Sequence, residues 1–235
     1  MKEILDFLTR LAANNDREWF SGHKDEYMAV KAKTDRLADA LIAGIVPFEP
    51  DAARLDAAAC TYRIYRDTRF SADKTPYKTH IGIFINPPYG KKSDRLGYYL
   101  HIEPGKSFVA AGTVCLPSAT VTAIRRSIYD NVDEYLSIIR NPEFARYYKT
   151  IGENPLKTAP KGFPRDWEYI DLIRPRDFVL SHRLTDRQMC AANLVDKVAE
   201  GFRIAKPWCD FINFTIDEEL MPVSYTHLTL PMILR

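Results

Sequence analysis

Between residues 63 and 80 the chain reads RIYRDTRFSADKTPYKTH, bringing Arg63, Arg66, Arg69, Lys74 and Lys78 together with Asp67 and Asp73. Five cations against two aspartates leave a local charge of +3, so the remainder of a chain whose net charge is +2 carries −1. Guanidinium forks bind oxyanions through two donors at once and a lysine adds a movable point charge, so this composition suits recognition of a phosphate or carboxylate. Asp67 or Asp73 would then orient an arginine, act as a base, or hold Mg²⁺ against a phosphate. The competing reading is scaffolding: Arg66 with Asp67, or Arg69 with Asp73, pin a loop that Phe70, Pro76 and Tyr77 pack beneath. Exposed ion pairs contribute only about 0–1 kcal/mol and buried ones repay their desolvation poorly, which makes stability a weak reason for so many charges. Anion recognition is therefore the leading expectation.

Two other places can contribute. The run GYYLHIE at 97–103 puts Tyr99, His101 and Glu103 on one face if it is a strand, and His101 is the candidate proton-transfer group because an imidazole titrates near neutrality. The loop LKTAPKGFPRDW carries Lys157, Lys161 and Arg165, and Lys161 is a candidate for the second wall of a basic cleft, with a solvated connection as the alternative. The candidate catalytic residues are thus Asp67, Asp73 and His101, and the candidate ligand-binding residues Arg63, Arg66, Arg69, Lys74, Lys78 and Lys161.

Several chemistries lack support. Cys60, Cys115, Cys190 and Cys209 form no C-x-x-C pair, and the histidines show neither H-x-x-x-H nor H-E-x-x-H spacing, so no permanent metal site is expected; a carboxylate site for a transient ion stays open. No G-x-x-x-x-G-K-[ST], G-x-G-x-x-G or G-x-S-x-G motif is present. No segment approaches the roughly 20 apolar residues of a membrane span, and Glu3, Asp6 and Arg10 interrupt the N-terminal stretch, which makes the cytoplasm the expected location and a membrane partner unexpected.

The elements that must position these residues follow from periodicity. Ile4, Leu5, Leu8 and Leu11 recur at helical spacing, Asn14–Asp16 interrupt them, and Tyr27, Val30, Leu37, Leu41 and Ile45 line one stripe of a long helix ended by Pro47. From residue 60 the period becomes strand-like, with extended runs at 60–66, 80–86, 97–103 and 107–115, the last two joined by a link short enough for a hairpin. In the first run, strand alternation would separate Arg63 from Arg66, and the Pro76 loop could return Arg69, Lys74 and Lys78 over the sheet rim. Helical spacing returns after Pro117, residues 155–176 read as irregular, 177–184 as a strand, and Thr185 caps a further helix that Pro207 should kink or break. The expectation is an α+β fold, a central mostly antiparallel sheet flanked by N-terminal and C-terminal helices, in a single domain over residues 1–221. The closing PVSYTHLTLPMILR changes composition abruptly. Its VSYTHLTLP resembles the translation of a transposon mosaic-end adapter used in sequencing libraries, so 222–235 is expected to be a non-native tail at the end of an environmental DNA fragment, with Tyr225 and His227 outside any site.

The stretch at 63–77 also fits R-x-x-R-D-x-R-F-x-x-D-K-x-P-Y at every fixed position. With NNDREWF near the N-terminus, LKTAPKGF at 156–163 and FRIAKPWCDFIN in the closing helix, it resembles the bacterial conserved hypothetical family called domain of unknown function 2461 over roughly residues 1–219. His23 departs from that resemblance, because Asn is the more frequent residue after WFSG. The resemblance implies a family but no reaction. The functional expectation therefore rests on side chains: a protein that binds a phosphate-bearing small molecule, as a phosphoryl-transfer or hydrolytic enzyme in its catalytic form. The alternatives are a nucleic-acid binder, suggested by Tyr65, Phe70 and Tyr77 among the basic residues, and a non-catalytic interaction module. Cofactor and oligomeric state are not legible.

Overall fold

The computed structural model describes residues 1–69, 71–88 and 90–220. Phe70, expected to pack beneath the basic loop, and the 222–235 tail lie outside the described residues. The first helix, α1 (Lys2–Ala13), buries Ile4, Leu5, Leu8 and Leu11 together with Phe7. It stops at Asn14, and Asp16 caps α2 (Arg17–Gly22) by accepting a hydrogen bond from the Trp19 amide at 2.8 Å. Next comes α3 (Lys24–Ile45), which turns Val30, Thr34, Ala38, Leu41 and Ile45 inward at spacings of three and four residues.

After the short α4 (Ala57–Cys60), capped by Asp56, the chain does not form the strand expected over 60–66. Among the described residues its backbone pairs with the sheet at an isolated Thr61–Ile83 bridge and then doubles back on itself, with the Arg66 amide donating to Pro76 O at 2.9 Å and the Lys78 amide to Ile64 O at 2.8 Å. The reason lies partly in Asn15, whose side-chain amide pairs with both backbone groups of Tyr77 at 2.9 and 3.1 Å and holds this arm against the N-terminal helices instead of the sheet. Phe20 stacks on Tyr77 with ring centroids 4.0 Å apart.

The sheet comprises β1 (Ile81–Ile85), β2 (Gly97–Ile102), β3 (Phe108–Thr113), β4 (Ile151–Glu153) and β5 (Asp177–Arg183), all antiparallel, in the order β1-β2-β3-β5-β4. The expected α+β arrangement is therefore present. The short β4, inside the stretch bordering the irregular segment, was not legible in the sequence. Between the sheet's halves run α5 (Ser118–Asp130), α6 (Val132–Ile139) and α7 (Pro142–Tyr147), and Thr185 and Gln188 form the reciprocal capping box of α8 (Asp186–Met189).

The final helix, α9 (Leu194–Leu220), continues through Pro207, so the chain does not break there. Proline deprives the Arg203 carbonyl of its helical donor, but both residues lie on the exposed side of the helix, where that loss costs least. The opposite side of α9, with Val198, Phe202, Ala205, Trp208, Ile212 and Ile216, packs against β2, β3, α3 and α5 and fills the core. Deep in it the Trp208 indole N–H donates to the Tyr135 hydroxyl at 3.0 Å. Among the described residues no helix is long and apolar enough to cross a membrane.

Strand alternation gives the sheet two unlike faces. Ile81, Ile83, Ile85, Tyr98, Leu100, Ile102, Val109 and Ala111 point toward the helices and are buried. The register Gly82↔His101, Phe84↔Tyr99 and Tyr99↔Ala110 sets the opposite face, which carries aromatic and titratable side chains over small ones. That open face is where the candidate site lies.

Candidate functional site

A cavity of about 590 Å³ occupies the open face. Its floor is Gly82, Ala110 and Gly112, its walls are Tyr62, Phe84, Tyr99 and Phe108, and Lys78, His80 and Lys91 reach it from the arm and from the turn after β1. Glu153 and Asp94 stand elsewhere on its lining. The glycine floor is required by close approach: a Cβ on Gly82 would lie 2.6 Å from the Tyr99 hydroxyl, so only glycine lets that phenol lie flat across β1. At Gly112 a Cβ would meet the Phe178 carbonyl oxygen at 2.1 Å, with φ at +136°, so the backbone itself forbids a side chain there.

Two ammonium groups flank the Tyr62 ring, Lys78 Nζ at 5.4 Å and Lys91 Nζ at 5.7 Å from its centroid. Lys91 also donates to the Ala58 and Thr61 carbonyls at 2.8 and 2.6 Å. Neither lysine has a carboxylate partner among the described residues. Burial, and then the nearby Arg63 guanidinium, hold the Lys78 ammonium below the usual lysine range.

Beside the cavity, β2 supplies a hydrogen-bonded row. Tyr99 Oη lies 3.1 Å from His101 Nδ1, and His101 Nε2 lies 3.0 Å from Glu103 Oε2. His101 is stacked between Phe108 on β3, centroids 4.6 Å apart, and His80, centroids 4.5 Å apart. Burial pushes the Tyr99 phenol up to about 12. Burial and the neighbouring His101 and Lys78 push His80 down to about 4, which keeps its imidazole neutral at physiological pH. For Glu103, burial acts upward but is outweighed by the His101 and Lys106 contacts, so the carboxyl sits below its ordinary value and is ionised. Among the described residues, His80, His101 and Glu103 are the group that could hold a metal ion, each offering one ligand atom with all three atoms within 4.8 Å of one another.

The residues expected from sequence divide between places. Lys78 lines the cavity and His101 stands at its margin against His80. Arg66 and Arg69 are paired with aspartates, in the reverse of the expected combination. Arg66 bonds Asp73 and Thr75, while Arg69 grips Asp67 through Nε at 3.0 Å and Nη2 at 2.7 Å. The Arg66 bond holds Asp73 down to about 2, and Arg69 likewise lowers Asp67. Both carboxylates are therefore weak bases, occupied in shaping the loop. Lys74 donates to the Thr68 carbonyl at 3.0 Å. Arg63 points to a separate cavity of about 470 Å³ with Tyr27, Lys31 and Asp35. Lys161 is exposed on its loop and lines none of these cavities.

The sequence reading missed His80, Lys91 and the aromatic pair Phe84 and Phe108. His80 stands just before β1, and extending the pairing Ile81↔Ile102 by one step sets it across from Glu103, on the face of His101. Only the register carries that signal, since no spacing within one segment does.

The family model described as Conserved hypothetical protein (DUF2461) matches residues 3–211. Neither the curated proteins nor the solved structures offered a match.

Proposed function

The chain belongs to this DUF2461 family of conserved hypothetical proteins, and from that premise we propose that its open-face cavity binds a small molecule bearing a phosphate and a planar ring. One observation carries the reading: Lys78 and Lys91 flank the cavity wall at Tyr62 with no carboxylate partner among the described residues. A half-buried cation without a counter-charge is costly, and an incoming anion supplies what is missing. Tyr99, Phe84 and Phe108 offer ring faces for stacking beside it, over a floor too shallow to obstruct a flat ligand. A volume of about 590 Å³ suits a mononucleotide-sized molecule rather than a free ion. In its catalytic form the reading is hydrolysis or phosphoryl transfer on that ester.

The nucleic-acid alternative draws less support, because Arg66 and Arg69 spend their forks on Asp73 and Asp67. A thermal-shift series of nucleoside monophosphates, sugar phosphates and short oligonucleotides tests the proposal, since a ligand that binds only the folded state stabilises it. The expected outcome is stabilisation by a monophosphate with shallow salt dependence. Steep salt dependence with oligonucleotides alone would favour nucleic acid, and no response to any anion would refute the site.

A further inference from the structure

Outside the ligand-binding reading stands a second set of groups. His80, on the arm's return to the sheet, and His101 and Glu103, on β2, gather on the open face with one donor atom each inside a 4.8 Å circle. The ring nitrogens of His80 make no hydrogen bond to the described residues, although the ring is partly buried, so the lone pair of its neutral imidazole has no protein donor.

We propose that His80, His101 and Glu103 form a binding site for a divalent transition ion of the zinc class at the margin of the open-face cavity.

The donor set is the first argument. Two imidazoles and one carboxylate are the three-ligand set that zinc takes where it keeps an open position for water or substrate, and the same set suits iron(II). The geometry is the second. Tetrahedral ligands at bond lengths of about 2.1 Å stand about 3.4 Å from one another. His101 Nε2 and Glu103 Oε2 are already 3.0 Å apart, so they need only open slightly, while the His80 nitrogen must close by up to about 1.4 Å and its ring must turn out of its 28° stack on His101, a χ rotation, so that both rings point at one ion.

The surroundings supply the outer contacts that metal-bound histidines use. Tyr99 Oη lies 3.1 Å from His101 Nδ1. When Nε2 binds the ion, the imidazole carries its proton on Nδ1 and donates it to that phenol oxygen, which fixes the tautomer and the ring plane. Phe108 closes the other side of the His101 ring. His101 is then a ligand rather than the proton carrier expected from sequence. The ion's chemistry is to activate a bound water or polarise an oxygen beside the cavity that His80 also lines. This inference does not depend on a phosphate-bearing ligand, because the ion is tested alone.

The test is a titration of the full chain, purified with chelator, with Zn²⁺ and with Co²⁺ as a coloured substitute. It is followed by isothermal calorimetry, the Co²⁺ absorption spectrum and long-range imidazole NMR. The expected result is one ion per chain, with the ring signals of His80 and His101 shifted and those of His23 and His182 unmoved. Glu103→Gln keeps the shape and an acceptor for His101 while removing the charged ligand, and His80→Asn removes one imidazole. Each should weaken Zn²⁺ at least tenfold. Should either variant fold poorly, the wild-type NMR result decides alone. Absence of binding by wild type, or binding that leaves His80 and His101 unshifted, would overturn the proposal.

Discussion

Replacing Lys78 by methionine separates the anion site from scaffolding, because the two accounts predict opposite signs for two quantities. Methionine keeps most of the unbranched stem that passes the Tyr62 ring and deletes the ammonium. If the ammonium receives a ligand phosphate, its loss removes a charge-assisted hydrogen bond of about 1.5–3 kcal/mol, or about 10- to 150-fold in affinity. The ligand-free protein should respond differently. Burial and Arg63 disfavour the Lys78 charge, so its ionised form is less favourable in the folded chain than in the unfolded one. For a base whose folded pKa is lowered, that penalty is present at neutral pH and below, and removing the charge relieves it. Lys78→Met should therefore be as stable as wild type or more so in urea titration, while calorimetry shows weaker binding of the nucleoside monophosphate that best stabilises the wild type. Affinity within twofold of wild type, or a marked loss of stability without ligand, would refute the reasoning and make Lys78 part of the scaffold.

Other expectations concern single contacts. Gly82→Ala places a methyl 2.6 Å from the Tyr99 hydroxyl, so the phenol must swing into the cavity; ligand affinity should fall with a stability cost of about 1–3 kcal/mol, and unchanged affinity in calorimetry would contradict the flat-floor account. Tyr135→Phe leaves the buried Trp208 N–H without its acceptor and should cost about 1–3 kcal/mol in chemical denaturation, with a negligible cost counting against that bond. Asp73 is held down to about 2 by Arg66 and Thr75, so its stabilisation is complete above the ordinary carboxylate value of about 4 and is lost as pH falls from there through about 2. Asp73→Asn should flatten stability against pH within that window and nowhere else. Because Asp73 is exposed, the change should be small, and an identical acid limb would show that the pair is idle.

Most of the fold was legible because periodicity reports burial. The runs around 81–85, 97–102, 108–113 and 177–183 alternate or stay apolar as strands require, and the stripe of α3 repeats at helical spacing. What failed was decided by contacts remote in sequence. Residues 60–66 have strand-like composition, yet Asn15 captures Tyr77 and draws the arm away from the sheet. Pro207 looks like a helix breaker, yet it sits on the solvent side of a helix held by its buried side. The basic stretch stands out by its local charge, but composition cannot tell which aspartate meets which arginine. Of its cations, Lys78 reaches the open-face cavity while Arg66 and Arg69 are tied to Asp73 and Asp67. Tyr99, His101 and Glu103 were legible as one face of one strand. Adding His80 needed the pairing register between β1 and β2, which is a property of two segments together.

The most direct measurement is the crystal structure of the protein soaked with a nucleoside monophosphate. The account predicts the phosphate within hydrogen-bond distance of Lys78 Nζ beside Tyr62, with the base against Tyr99 and Phe108 above Gly82. A phosphate bound instead along Arg63, Arg66 and Arg69, with the open-face cavity holding only solvent, would contradict it.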